Sequence, residues 1–220
     1  MIMKSFKYII GFLMLAFVSC SEEDFVPKED IGNRHGIVFE GSSENPGTEG
    51  PLHGTIETCY ATGFPGGGIT CRNSGYPVPC SLSVTDCWLV HCGVGINIPH
   101  WSEYHKFTNV SAIQNWYGYI NNGGNNMFVN CNFSENVMGF LMDNSKGQSK
   151  NETHGSAIGC TFNHSGFFVE KNKGTGIRIL GTKNGYVFSG CQVFYSKIEL
   201  DNVQGVIFDA FNFGRNEVID

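Results

Sequence analysis

The chain is short of charge. Lys, Arg, Asp and Glu make up 15% of its 220 residues, and the formal net charge is only -6. A nucleic-acid partner wants a basic stripe, which this composition does not supply. No window carries a sustained apolar period of 3.6, so almost no helix is expected. No Cys-x-x-Cys pair occurs among the nine cysteines, which removes the usual zinc spacing. No Asp-Asp or Asp-x-Asp pair falls in a candidate strand, so the clustered carboxylates of a glycan hydrolase are missing. What is plentiful is Gly, Asn, Ser and aromatic side chains from Gly54 onward, a mixture that favours turns and strands.

The first residues read as an address. Lys4 and Lys7 make a short basic region, and the apolar run from Tyr8 to Val18 is too short to cross a bilayer but suits a signal sequence. Phe17-Val18-Ser19-Cys20 resembles the lipobox of bacterial lipoproteins, with Phe17 where the strict pattern has Leu. The resemblance implies a signal peptide over 1–19 and a lipid on Cys20 that holds the chain to a membrane. Ser21-Glu22-Glu23-Asp24 is similar to the acidic signal that sends some Gram-negative lipoproteins to the outer cell surface. Residues 20–35 have no period and read as an acidic tether.

From Gly36 to the C-terminus a short motif recurs. Its central column is Cys59, Cys87, Val110, Cys131, Cys160, Cys191 and Phe211. Two residues later every copy is apolar: Ala61, Leu89, Ala112, Phe133, Phe162, Val193 and Phe213. The residues between, from Tyr60 and Trp88 to Gln192 and Asn212, are mostly polar. In, out, in is strand alternation. Three residues before the centre the column is apolar again, from Ile56 and Val84 to Phe188 and Phe208, and that odd offset implies a corner. A second element follows each motif, opening with glycine at Gly68, Gly95, Gly118, Gly139 and Gly176.

Successive centres at 59, 87, 110, 131, 160, 191 and 211 lie 28, 23, 21, 29, 31 and 20 apart. About twenty residues make one coil of a β-solenoid, and the excess belongs to loops. The fold expected over 36–220 is all-β: a single-stranded right-handed parallel β-helix of about seven coils, its hand set by the rule for parallel crossovers. The five cysteines of the central column then point inward as small free hydrophobes. Cys71 and Cys80 flank the turn-rich stretch 72–79 and are the pair best placed for a disulfide, with free thiols as the alternative.

Several segments carry a family resemblance: Ser102 to Phe107, Asn121 to Asn126, His154-Gly155-Ser156, and Gly159 to Ser165. They look like the right-handed β-helix of pectate-lyase-like proteins, above all the version in phage tail and tailspike proteins and gut bacterial surface proteins. The likeness covers about Gly36 to Val218. It lacks the opening Gly-Ala-x-Gly-Asp-Gly segment and a C-terminal module, so a shortened relative, or one capped by self-association end to end or side by side, is expected.

Two chemistries compete. A polysaccharide lyase would draw on His105, Asp143, Glu152, His154 and Arg178, placed in one groove by long loops between Cys131 and Cys191, with a bound Ca²⁺ only in that case. Otherwise no cofactor and no metal are expected, because His154 and His164 have no third ligand at a fixed spacing. The bland reading of the five is local turn hydrogen bonding. A non-catalytic glycan binder would instead use Trp88, Trp101, Tyr104, Trp116 and Asn151, because exposed aromatics stack on sugar faces. The leading expectation is a surface-anchored, glycan-binding or adhesive rod. A lyase or depolymerase and a rod that stacks end to end are the alternatives.

Overall fold

The structure, a computed structural model, describes residues 34–41, 52–73, 79–98, 102–121, 123–146, 153–166, 169 and 174–214. The signal and lipidation residues, Trp101, Asn151 and Glu152 lie outside that set. Among the described residues the chain makes nineteen strands and no helix.

Every strand pairing is parallel. Sheet A runs in order through Ile37–Gly41, Gly67–Asn73, Val94–Ile98, Tyr117–Asn121, Met138–Asp143, Thr175–Leu180 and Lys197–Asp201. Sheet B holds Leu52–Glu57, Pro79–Thr85, Lys106–Thr108, Asn126–Val129, Gly155–Ile158, Tyr186–Ser189 and Val206–Asp209. Sheet C is narrower. Tyr60–Thr62, Trp88–Val90 and Ser111–Ile113 are joined through single bridges at Asn132 and Thr161 to Gln192–Phe194 and Asn212–Gly214. The chain visits A, B and C in that cyclic order, so each strand pairs with its counterpart one round later.

The register is the one the repeat implies. In sheet B, Ile56, Val84, Phe107, Phe128, Ala157, Phe188 and Phe208 sit partner to partner. In sheet C the outward column from Tyr60 and Trp88 to Gln192 and Asn212 is likewise continuous. The inward columns are buried in the middle rounds and partly buried at the ends, at Cys59, Phe208 and Phe211; Cys87, Cys131, Cys160 and Cys191 are free thiols among them. Phe213 departs: half its surface is exposed, because no described strand lies beyond it. The Cys71–Cys80 pairing falls outside what is described, since nothing of the Cys80 side chain is.

Aromatic rings fill the interior. Phe107 stacks on Phe128 with centroids 4.7 Å apart, and Phe133 on Phe162 at 5.5 Å. Each buried ring contributes about 1.5–3 kcal/mol of transfer free energy. The expected corner between sheets B and C is a left-handed residue. Thr58, Asp86, Asn109, Asn130, Gly159, Gly190 and Ala210 all have positive φ, immediately before the central column. A second left-handed column, Gly63, His91, Gln114, Glu135, His164 and Tyr195, turns the chain from C back to A. Asn, Asp and Gly adopt this region most cheaply, which explains their frequency in the first column.

The glycines opening sheet A have a different cause. A Cβ on Gly95 would come 2.6 Å from Gly118 O, and one on Gly118 would come 2.5 Å from Gly139 O. The rounds approach too closely there for any side chain.

Candidate functional site

The proposed lyase residues separate. His105 points into the interior and is fully buried. Its Nδ1 accepts the Leu82 N–H at 3.1 Å, and its Nε2 is 2.7 Å from Ser102 Oγ. Burial lowers its pKa to about 4. It cannot line an outer groove, which corrects that expectation. The physical reason is its place in an inward column of sheet B, between Leu82 and Asn126.

Asp143, at the end of its sheet A strand, is taken up by a turn: its Oδ1 accepts the Ser145 N–H at 2.9 Å and the Ser145 hydroxyl at 2.6 Å. Arg178 is on the outer face of sheet A, with Nε 3.1 Å from Glu199 Oε2. His154, half-buried, covers Gly124 just ahead of sheet B. Asp143 and Arg178 are on adjacent sheet A strands, while the two histidines belong to the start of sheet B. The long connections also join different pairs of sheets. The segment between Asp143 and Gly155 leaves the A-to-B corner, and that between Thr161 and Thr175 leaves the C-to-A corner. Among the described residues no three His, Cys, Asp or Glu side chains come together as a metal site.

The aromatic candidates divide as well. Trp88 and Tyr60 are direct neighbours in register on the outer face of sheet C, 51% and 50% exposed. Tyr104 is also exposed, but it stands at the corner leading into sheet B, with φ of 61°. Trp116 is half-buried at the C-to-A corner.

Beyond Trp88 the same outward column continues as Ser111, Asn132, Thr161 and Gln192. The Thr161 hydroxyl donates to Asn132 Oδ1 at 2.8 Å. One margin of the face is the first corner column, where Asn109 Nδ2 donates to Asp86 Oδ1 at 3.1 Å. The other margin is the second corner column. There Gln114 turns its carbonyl oxygen to His91 Nε2 at 2.9 Å and its NH₂ to Glu135 Oε2 at 2.8 Å. Among the described residues this face and its margins carry two carboxylates, Asp86 and Glu135, and no Lys or Arg.

Sequence reasoning missed a polar spine inside. Asn115 Oδ1 accepts the Cys92 N–H at 2.7 Å, and Asn136 Oδ1 accepts the Asn115 N–H at 2.8 Å. Ser196 Oγ accepts the Ser165 N–H at 2.9 Å in the same column. The signal was available: five residues after the centres from Cys87 to Cys191 the chain reads Cys92, Asn115, Asn136, Ser165 and Ser196. No known protein family, curated protein or solved structure matches this chain.

Proposed function

We propose that the chain is a right-handed parallel β-helix of the pectate-lyase-like kind, held at the outer surface of a Gram-negative cell by lipid on Cys20, and that it binds glycan without cleaving it. The cyclic order of strands through three parallel sheets supports the β-helix. The hand follows the crossover rule, which about 98% of parallel connections obey.

The observation that carries the binding role is the Tyr60–Trp88 pair. Two large aromatic rings sit side by side on an outer face, half in water. Such area adds little to folding while it stays wet, and it is well suited to stack on the C–H faces of sugars at small entropic cost. The catalytic reading loses support because His105, one of its candidate bases, faces the interior.

The test is a polysaccharide array probed with the full-length chain, beside a Tyr60→Ala/Trp88→Ala double variant. Loss of retention in the variant supports the reading, and unchanged retention removes it. Release of unsaturated, ultraviolet-absorbing product from any polymer would overturn the non-catalytic half.

A further inference from the structure

We infer that the sheet C face takes an uncharged glycan lying along the column, with Tyr60 and Trp88 stacking on successive sugars and Ser111, Asn132 and Thr161 hydrogen-bonding those that follow. The inference rests on the glycan-binding reading and adds the class of ligand.

Charge is the first argument. Recognition of uronate or sulfate groups needs a cation, usually Arg in bidentate contact. Among the described residues this face and its margins have none, while Asp86 and Glu135 flank it and would repel an anionic polymer. The described cations lie elsewhere. Arg34, Arg72, Arg178 and Lys197 belong to sheet A or the residues just ahead of it, Lys106 to sheet B, and Lys146 and Lys183 to the corner between those sheets.

Spacing is the second. Adjacent parallel strands are about 4.8 Å apart, so the four steps from Tyr60 to Thr161 span about 19 Å. One side chain per step, aromatic and then hydroxyl or carboxamide, suits a linear chain of sugars lying across the strands. The polar members are uncharged: Asn132 Nδ2 can donate to sugar hydroxyls, while Thr161, whose proton goes to Asn132 Oδ1, can accept from them.

The experiment is affinity electrophoresis of the full-length chain through gels holding a β-glucan, a mannan or a xylan, and in parallel polygalacturonate, alginate or heparin. Trp88→Ala and Asn132→Ala are run beside it, with circular dichroism confirming that both fold. The expected result is retardation by a neutral polymer, weakened about tenfold by Trp88→Ala. It should change less than about twofold between about 50 and about 500 mM NaCl. Retardation by anionic polymers alone, lost in Trp88→Ala, would keep the glycan-binding face and overturn its preference for uncharged chains. Retardation that neither variant alters would put the glycan elsewhere and overturn the inference. No retardation by any polymer would overturn the glycan-binding reading, and the inference with it.

Discussion

His105 Nδ1 accepts the backbone N–H of Leu82, one round away, at 3.1 Å. The next round repeats the arrangement, with Asn126 Oδ1 accepting the His105 N–H at 3.1 Å. His105 therefore stands where an asparagine could, as a side-chain acceptor for a backbone donor that the sheet leaves unused. With Nδ1 accepting, the ring proton is on Nε2 and is donated to Ser102 Oγ. The imidazole is neutral, fully buried and bonded at both nitrogens.

Acidification should therefore weaken the fold through this residue. The folded pKa is about 4, against an ordinary value of 6.5. Above pH 6.5 the ring is neutral in both states and its contribution is complete. As pH falls towards 4, the unfolded chain takes up a proton that the folded chain refuses, so stability falls. The loss over that window is about 3 kcal/mol. Urea midpoints measured from about pH 7 to about pH 4.5 should decline more steeply for the parent than for His105→Asn, which keeps an acceptor without the titration. Parallel curves would contradict this.

The interior asparagines should be individually costly. Asn136 accepts the Asn115 N–H and donates to Ala112 O at 2.8 Å and Phe133 O at 2.9 Å. Asn136→Ala leaves two buried donors of Asn115, its N–H and one Nδ2–H, and two carbonyl groups short of a partner. The expected loss is about 2–4 kcal/mol, read from the urea midpoint. Asn130→Ala, at an exposed corner, should cost far less.

One corner carries strain that a substitution can relieve. Thr58 has φ of 51° where Asn109 and Asn130, in the same column, have 53°. A β-branched residue fits the left-handed region poorly, and Asn fits it well. The Thr58 N–H donates to Thr85 O at 3.0 Å through its backbone, so Thr58→Asn preserves that bond. A gain of about 1 kcal/mol is expected in thermal unfolding.

Glycines that look alike should respond differently to alanine. At Gly118 a Cβ would come 2.5 Å from Gly139 O and 2.7 Å from Asn136 Nδ2. Gly118→Ala should cost about 3 kcal/mol, because backbone rather than a flexible side chain would have to move. At Gly63, with φ of 75°, nothing lies within 4 Å of the new methyl group. Gly63→Ala should cost only the left-handed penalty of about 1 kcal/mol. Equal melting temperatures for the two variants would overturn the distinction.

Much of the fold was legible because apolar side chains announce their own direction. Phe107, Phe128 and Phe188 recur at one offset, and burying them requires that offset to be shared by every round. The corner before the central column was legible as an odd offset, though its left-handed conformation was not. The candidate site was legible only in Tyr60 and Trp88, whose outward position follows from the same alternation. The groove expected from five polar residues was not legible: Glu152 lies outside the described residues, and three of the others have separate roles. His105 went inside, Asp143 into a turn, and Arg178 beside Glu199.

That division has a physical reason. A repeated apolar column leaves few ways to keep phenylalanine out of water, so the sequence by itself determined the register of stacking, the inward cysteines and the close-packed glycine column. A histidine or asparagine is at home in water and equally at home against a bare N–H. Only the tertiary structure, by bringing Leu82 within 3.1 Å of His105 and Cys92 within 2.7 Å of Asn115, decided that these polar side chains belong to the interior.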